Sequence, residues 1–365
     1  MVQIVKVSEP HHWHCFFEFP RRLYFRDPLW TPLPLSAEQQ LFNPQTNPVL
    51  RHVNYECFLA LDKGSPVGRI AAITDDLLPD QRIGLFGCFE TVNNSEVVEQ
   101  LLKAVAHHLK SKGKQQMQGP VTMNTSQQVG LLVEGFHLPP QAQMPYNPPY
   151  YGDLLEQQGC SQLLDLYSYL WDPGQIKALA KLKAIAKRAA KIPGIRFRTI
   201  NLNDPWGEGK RFAAIYNQTM TNQWGFVPMD QTEAAAFLAG LRGSGDPELL
   251  FYCEVKGEAV GVCLMMPDVG PELRAARRFG FAPLLPLPRS RKLRVGVLAV
   301  VPEYRRRGVV ALLLERALQV ILRKGYRQAE LSLIMASNKE MNSIINNVVG
   351  NSGKKVFRIY QKPIE

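Results

Sequence analysis

The 365-residue sequence has no long apolar run, no CxxC pair and no histidine after His137. A membrane-spanning helix needs about 18 consecutive apolar residues, so none is predicted. The six scattered cysteines exclude a zinc ribbon or a compact disulfide framework and predict reduced thiols. The first residues lack the apolar core and small-residue cleavage site of a signal peptide. We therefore expect a cytoplasmic protein.

The histidines also predict no metal cofactor. His11, His12 and His14 are neighbours on one short predicted helix, where adjacent ligands rarely converge on a metal. No cluster of cysteines or carboxylates accompanies them. Because all seven histidines lie in the amino-terminal part, the carboxyl-terminal half has no histidine that could act as a local general base.

The net charge of +11 is divided unevenly along the chain. Residues 1–172 carry 12 Lys+Arg and 17 Asp+Glu, whereas residues 173–365 carry 31 and 15. Such an excess of positive charge on one half favours an anionic ligand there. Coenzyme A, tRNA, an acyl carrier protein and a membrane surface all fit this charge, which alone does not choose among them.

The most informative segment joins a strand to a helix in the basic half. An apolar, β-branched run ends at Pro302, an arginine-glycine turn follows, and residues 311–324 have a strongly helical composition. Pro302 has no N–H for a sheet ladder, and Gly308 allows the backbone to approach a ligand closely. A helix amino terminus presents unpaired N–H groups and a positive dipole end. The segment is therefore suited to a phosphate or pyrophosphate.

Arg305-x-x-Gly308-x-Val310 resembles the (Arg/Gln)-x-x-Gly-x-(Gly/Ala) loop with which GNAT acyltransferases hold coenzyme A. The resemblance implies that the Arg305 side chain and the backbone amides after it bind the pyrophosphate. It also implies that backbone groups of the preceding strand, which splays from its neighbour, pair with the pantetheine arm. The implied cofactor-binding residues are Leu298, Val300, Arg305, Arg307, Gly308, Val309, Val310 and Asn338.

Three positions leave questions open. Asn338 matches the family's asparagine that steadies the cofactor arm, but a helix N-cap explains it equally well. Val310 stands where the family prefers Gly or Ala, and its branched side chain is expected to crowd the phosphate. The family's catalytic tyrosine corresponds to Asn346. The general acid is therefore unidentified. Asp230, Glu254 and Glu303 are candidate bases by residue type alone, and deprotonation of the amine through ordered water also suits the class.

Both halves follow one order of predicted elements. The carboxyl-terminal half reads β-α-α-β-β-β-α-β-α-β, which is similar to the GNAT order, and the amino-terminal half has the same rhythm. The resemblance implies an α/β (α+β) protein with tandem GNAT-like acyl-CoA N-acyltransferase folds, each a mixed, mostly antiparallel sheet flanked by helices. It covers nearly the whole chain and extends to a group of uncharacterised bacterial two-domain GNAT-like proteins.

Three regions are predicted. Residues 1–172 form a degenerate GNAT-like domain, acceptor-binding or structural, because their strand-to-helix junction at residues 91–96 has neither glycine nor arginine and carries Glu96. Residues 173–192 form a basic linker helix, and residues 193–365 form the GNAT domain with the coenzyme A loop. Residues 119–151 are predicted to be a long, functional loop.

An irregular basic stretch is predicted at residues 271–291, before the strand that precedes the arginine loop. Its position suits a flap that faces the acceptor or the phosphates, and a solvated loop is an equal interpretation. The arginines of this stretch are Arg274, Arg277, Arg278, Arg289 and Arg291.

The resemblance implies an N-acyltransferase that moves an acyl group from acetyl-CoA or another acyl-CoA to the amine of a small molecule or peptide. The amine would attack the thioester carbonyl directly, with a backbone N–H of the splayed strand polarising the oxygen. One alternative is an aminoacyl-tRNA-dependent transferase of tandem GNAT fold, which the basic half favours. The other is a non-enzymatic GNAT-fold binding module, which Val310 and the missing tyrosine favour. A tRNA or an acyl carrier protein is a further candidate partner.

Overall fold

The computed structural model describes residues 2–141, 143–242, 246–279 and 290–365. The α-helices in these ranges are α1 (Pro10–Leu23), α2 (Leu35–Gln40), α3 (Ser95–Ser111), α4 (Tyr151–Gln157), α5 (Leu179–Ala189), α6 (Pro205–Thr219), α7 (Gln231–Gly240), α8 (Gly270–Phe279), α9 (Val309–Arg323) and α10 (Lys339–Ile344). Within them, no helix combines the length and the apolar character needed to cross a bilayer.

The strands are β1 (Gln3–Lys6), β2 (Val53–Asp62), β3 (Ser65–Asp75), β4 (Ile83–Thr91), β5 (Gln116–Gly119), β6 (Val121–Thr122), β7 (Gln128–Val129), β8 (Leu131–Glu134), β9 (Ser161–Trp171), β10 (Ile195–Thr199), β11 (Leu250–Val255), β12 (Glu258–Pro267), β13 (Lys292–Val300), β14 (Gln328–Met335) and β15 (Gly353–Pro363). The chain folds into two compact units. Unit 1 contains residues 1–166 and 355–365, and unit 2 contains residues 167–354.

Unit 1 is built on a sheet with the strand order β1-β2-β3-β4-β5-β15. Its strand pairs are antiparallel except for β4 and β5, which run parallel. The amphipathic helix α3 packs its apolar face on this sheet, and burial of such a face is the main source of helix stability in proteins. The buried residues of α3 are Val97, Val98, Leu101, Leu102, Val105 and Leu109.

The last strand, β15, belongs to unit 1 although it ends the chain. Residues Tyr360–Pro363 pair with β5, and Val356–Arg358 pair with β8. These pairings explain why the compact units do not follow the sequence division at residues 172 and 192. They also give an ordered partner to β8, which lies inside the segment predicted to be a loop at residues 119–151. The assignment of a separate role to each sequence domain stays a prediction.

Unit 2 has the strand order β10-β11-β12-β13-β14, in which only β13 and β14 run parallel. Helix α9 lies on this sheet and buries most of its apolar side chains there. The basic helix α5 packs against α9. It buries Leu182, Ala186 and Ala189, and its lysines are largely exposed. The predicted mixed, mostly antiparallel architecture with flanking helices is confirmed.

One predicted region is wrong. Residues 271–279 of the predicted irregular stretch belong to α8, and Asp268 accepts a hydrogen bond from the N–H of Gly270, the first residue of the helix. Glu272 lies in its first turn, where a carboxylate complements the helix dipole. The arginines at 274, 277 and 278 are therefore helical. Residues 280–289, including Arg289, lie outside the described part of the chain.

Candidate functional site

The two parallel strands of the unit 2 sheet, β13 and β14, separate partway along their length. The pairing of β13 with β14 ends at Val295 and Leu331, although β13 continues to Val300 and β14 to Met335. A β-bulge at Gly296 interrupts the ladder with β12 at this point, and a bulge bends the strand that carries it. The predicted splay is therefore present, and it opens directly before the arginine loop.

The register with β12 decides which backbone groups face this opening. The Val301 N–H donates to the Val260 carbonyl on β12. Backbone groups alternate in direction along a strand. Those of Val300 and Leu298, opposite Gly261 and Cys263, therefore point away from β12, towards the side that β14 has left. They are the two residues whose backbone the family resemblance assigns to the pantetheine arm.

The loop after β13 leads into α9 through a glycine that no other residue would replace without strain. Gly308 has φ 82° and is the residue before the helix, without a side-chain cap. A Cβ there would come within 3.0 Å of Ile185 Cγ2 and 3.2 Å of Ala189 Cβ, both on α5. Packing against α5 is thus a second reason for glycine, which the sequence did not indicate. The first N–H groups of α9, including those of Val309 and Val310, stay available for an anion.

The three arginines of the loop differ in their contacts. Arg305 donates from Nε to the Val300 carbonyl and from Nη2 to the Thr219 carbonyl, so its side chain braces the loop. Arg306 forms an exposed ion pair with Glu340 at 2.7 Å. Arg307 is exposed, and its guanidinium lies 5.3 Å from the centroid of the Tyr304 ring. Among the three, Arg307 is therefore the arginine whose guanidinium has neither a hydrogen bond nor an ion pair to a described residue.

Val310 packs part of its side chain against the apolar core of unit 2 and leaves part exposed. We predict that Val310→Ala tightens coenzyme A binding by up to about tenfold, equivalent to 1.4 kcal/mol. The substitution removes branched bulk beside the α9 N–H groups and introduces a better helix former. Calorimetry with coenzyme A measures the change, and thermal unfolding checks the lost packing. Weaker or unchanged binding would show that the valine does not crowd the site.

Asn338 is the N-cap of α10, and its side chain accepts a hydrogen bond from the Met341 N–H at 3.1 Å. The structure therefore shows the cap, and the role towards the cofactor stays a prediction. The neighbouring Asn342 donates to the carbonyls of Met335 and Ala336 at the end of β14. The Asn342 side chain also accepts a hydrogen bond from the Tyr169 hydroxyl at 3.0 Å.

Tyr169 was not identified from the sequence. Its hydroxyl reaches the helix that follows β14, where the family pattern places a tyrosine and this chain has Asn346. Burial raises the pKa of Tyr169 above its ordinary value, so the phenol carries its proton at neutral pH. The structure thus brings a buried phenol from β9 to the part of unit 2 that lacks the family's tyrosine.

The three carboxylates considered as bases are placed differently. Glu254 is buried and forms ion pairs with Arg196 and Arg198 of β10. Asp230 caps α7 by accepting from the Glu233 N–H. Glu303 is exposed in the turn after β13. Glu254 and Asp230 thus have structural roles, and only Glu303 lies next to the loop.

Unit 1 repeats the strand splay without the phosphate loop. The pairing of β4 with β5 ends at Leu85 and Gln118, and β4 continues to Thr91. Both backbone groups of Thr91 are occupied, because its N–H donates to the Tyr151 hydroxyl and its carbonyl accepts from the Tyr150 hydroxyl. Helix α3 begins four residues later, capped by Asn94.

The described residues contain no group of three or more His, Cys, Asp or Glu side chains placed to hold a metal ion. On α1, the imidazole of His11 contacts the Cys15 thiol at 3.7 Å. All six cysteines of the chain are free thiols.

Comparison with known proteins places these features in a family. Residues 210–342, which span β11 to β14 and the loop before α9, match the acetyltransferase (GNAT) family model. A protein named bacterial ceramide synthase, from Caulobacter vibrioides, is 29% identical over 380 residues, covering 100% of this chain and 98% of that protein. Protein YghO of Escherichia coli is 30% identical over 364 residues, covering 96% and 92%.

Two solved structures share the fold along the whole chain. A tandem GNAT protein from the clavulanic acid biosynthesis pathway has a TM-score of 0.59 at 11% identity, covering 100% of this chain and 99% of the other. A protein from Enterococcus faecalis V583, described as a probable N-acyltransferase, has a TM-score of 0.56 at 8% identity and covers 100% and 73%. With a relative at 30% identity along nearly its full length, and with the splayed strands and glycine-led helix inside the matched region, the chain belongs to the acetyltransferase (GNAT) family and is an N-acyltransferase.

Proposed function

We propose that this protein transfers an acyl group from an acyl-CoA to an amine, with the acyl-CoA bound to unit 2. The observation that carries the proposal is the divergence of β13 from β14 directly before the uncapped amino terminus of α9. The backbone groups of Leu298 and the N–H of Val300 face the opening and suit the amide-rich pantetheine arm, whereas the Val300 carbonyl accepts from Arg305 Nε. The N–H groups of residues 307–310 and the positive charge of Arg307 suit the pyrophosphate.

The reaction that follows from this arrangement is a direct transfer. The neutral amine attacks the thioester carbonyl, and the new C–N bond forms as the oxygen takes up negative charge. A backbone N–H of β13 that faces the opening stabilises this oxyanion. The C–S bond then breaks, the nitrogen loses its proton, and the thiolate takes up a proton to leave as coenzyme A. Water can take this proton, because a nitrogen bonded to the acyl carbon is far more acidic than an ordinary aminium, whose pKa lies near 10.

Tyr169 is our candidate for the proton donor to the thiolate. Its phenol is protonated at neutral pH and lies where α10 meets the end of β14. We expect Tyr169→Phe to lower kcat about 10- to 100-fold with little change in KM for the acyl-CoA, within the range typical of general acid catalysis. Steady-state kinetics tests this. Tyr167→Phe, on the same strand, is the control. An unchanged kcat would exclude Tyr169.

The relative named bacterial ceramide synthase suggests the acceptor class. A ceramide contains an amide between an acyl group and an amine-bearing lipid, and the likeness to that relative covers the full chain. We propose an amine-bearing lipid as the acceptor, bound by residues of the amino-terminal domain, and a long-chain acyl-CoA or acetyl-CoA as donor. A cytoplasmic location is part of this proposal and is supported by the six free thiols.

An aminoacyl-tRNA donor is the second candidate, and an acyl carrier protein could replace coenzyme A as the acyl carrier. The basic charge of residues 173–365 favours these partners. Several of the arginines and lysines are paired with carboxylates, as in the contacts of Lys324 with Asp246 and Glu248. Such pairs reduce the free positive charge that a polyanion would need.

The test uses the full chain with acetyl-CoA, palmitoyl-CoA, an acyl carrier protein thioester and aminoacyl-tRNA, each with a long-chain amine. Mass spectrometry detects the amide product, so the protein's own thiols do not interfere. Amide formation from either acyl-CoA supports the proposal. If amide forms only from the aminoacyl-tRNA, or only from the carrier-protein thioester, that donor replaces acyl-CoA in the proposal. If amide forms from none of the donors, the proposal is overturned.

A further inference from the structure

Unit 1 contains a cavity of about 130 Å³ at the place where β4 and β5 separate. Apolar and aromatic side chains form much of its wall. They are Trp30, Leu33, Phe42, Phe89, Leu131 and Met144. A cavity of similar size lined by apolar residues holds a molecule as large as benzene. The cavity differs from such sites because charged side chains of β3 and β4 also line it.

Glu90 supplies a carboxylate whose two oxygens have different surroundings. Its Oε2 accepts hydrogen bonds from the Tyr24 hydroxyl at 2.6 Å and the Tyr151 hydroxyl at 2.8 Å. Both of these hydrogen bonds go to Oε2, and Oε1 accepts none from the described residues. The two phenols therefore fix the carboxylate and leave one oxygen for a ligand. Desolvation raises the pKa of Glu90 to about 7, which is near the pH at which a binding or catalytic carboxylate changes charge.

Arg69 stands directly opposite Glu90 in the register of β3 and β4. Side chains at such positions lie on one face of the sheet, about 5 Å apart at Cβ. Arg69 Nη1 donates to the Phe16 carbonyl and to Glu38 Oε1. Its Nε is buried without an acceptor, and Nη2 donates to none of the described residues. The cavity therefore pairs a free carboxylate oxygen with a free guanidinium donor.

The charges in the cavity select the kind of ligand. Two carboxylates balance the two arginines beside the cavity: Glu38 pairs with Arg69 at 3.0 Å and with Arg21 at 3.1 Å, and Glu18 lies 3.9 Å from Arg21. The remaining ionisable group is Glu90, which attracts a cation rather than an anion. Trp30 stacks on Tyr24 with ring centroids 5.0 Å apart, and aromatic faces favour cations as well. An anionic ligand such as a pyrophosphate does not fit this balance.

We propose that the Glu90 cavity binds a primary amine that carries an oxygen on the neighbouring carbon. The ammonium hydrogen-bonds to Glu90 Oε1, the oxygen accepts from Arg69 Nη2, and the apolar body of the molecule lies along the aromatic wall. Binding of this class of ligand follows from unit 1 alone. That the ligand is also the acyl acceptor rests on the proposed function.

The test is calorimetry on the full chain with three probes that share one carbon skeleton. These probes are 2-amino-1-octanol, octylamine and 1-octanol. We expect the amino alcohol to bind most tightly, octylamine to bind about tenfold more weakly, and the alcohol to bind at least 100-fold more weakly. Equal binding of all three probes, or no binding of the amino alcohol at millimolar concentration, would overturn the proposal.

Glu90→Gln and Arg69→Gln separate the two contacts. Glu90→Gln keeps an acceptor for both phenols and should weaken amino alcohol binding at least 30-fold. Arg69→Gln should weaken binding of the amino alcohol more than binding of octylamine, which has no oxygen for Arg69 to contact. Glu96→Gln, an exposed carboxylate of the same unit, is the control for charge. Undiminished binding by folded Glu90→Gln would refute the site.

Acyl transfer is measured separately on the same variants. Amine binding that depends on Glu90, without transfer from any acyl-CoA, would support the cavity and contradict the proposed function. Transfer that Glu90→Gln leaves unchanged, with unchanged amine binding, would contradict the cavity and leave the proposed function in place.

Discussion

Arg307→Glu is expected to weaken acyl-CoA binding about 100-fold while the protein stays folded. Arg307 is exposed, lies one residue before Gly308, and has no ion pair with a described carboxylate. In the proposed site its charge faces the pyrophosphate. A hydrogen bond to a charged group is worth about 1.5–3 kcal/mol, and the introduced carboxylate adds repulsion. Calorimetry with acetyl-CoA at two salt concentrations measures the loss, which added salt should reduce.

The matched control is Arg323→Glu at the other end of α9. It makes the same change in net charge at the last residue of α9, where Arg323 pairs with Glu248, far from the loop that carries Arg307. Its affinity for acetyl-CoA should change less than threefold. An equal loss in both variants would mean that only overall charge matters. Gly308→Asp is a poorer test, because its side chain would meet α5 at a positive φ.

The parts of unit 2 that the sequence predicted depend on local chemistry. Pro302 ends a strand, Gly308 has the left-handed conformation, and the apolar periodicity of the next residues forms α9. Each property belongs to one residue and its close neighbours. The splay of β13 was predicted through family resemblance, and the structure adds its local cause, the bulge at Gly296.

The remaining features depend on contacts between distant residues. Tyr169 and Asn342 are 173 positions apart, and Glu90 lies 66 positions from Tyr24. No spacing rule links such pairs. One signal was available for Glu90, because it is the single charged residue of β4, an otherwise apolar and largely buried strand. A lone carboxylate in such a strand needs partners, since burial of an unpaired charge is costly.

Both units contain a pair of parallel strands that separate after a bulge, but different chemical groups lie at the point of separation. In each, a bulge and a splay end the pairing of two parallel strands. In unit 2 the strand end faces an uncapped helix amino terminus, which suits an anion. In unit 1 two tyrosines occupy the backbone of Thr91, and Glu90 is left in the cavity. Unit 1 thus has a carboxylate at the strand end, and unit 2 has a phosphate-type loop there.

Glu90→Gln is expected to stabilise the protein at alkaline pH. The pKa of Glu90 is about 7 in the folded protein, against an ordinary value of 4.5. The folded state therefore holds this proton more tightly than the unfolded state does. The resulting stability is fully present below about pH 4.5 and is lost as the pH rises through 7. Above pH 8 the charged carboxylate costs up to about 3 kcal/mol, which glutamine avoids.

Neighbouring groups do not change charge in this range. The pKa values of Tyr24 and Tyr151 are raised well above 10 by burial. The pKa of Cys88 is raised to about 11 by burial, and Glu38 raises that of Arg69 against the opposing effect of desolvation. Denaturant unfolding of the wild type and the variant at pH 5.5, 7.0 and 8.5 measures the difference in free energy. Groups that titrate elsewhere cancel in this difference.

The free energy of unfolding of Glu90→Gln, relative to that of the wild type, should increase from pH 5.5 to pH 8.5. The same difference for Glu96→Gln should show no such trend. At pH 8.5, addition of 2-amino-1-octanol should also raise the denaturant midpoint of wild-type unfolding towards that of the variant, because a bound ammonium would compensate the buried charge. A difference that is the same at every pH would mean that Glu90 is already charged at pH 5.5. The carboxylate would then be an ordinary structural one, held by its two tyrosines rather than kept ready for a ligand.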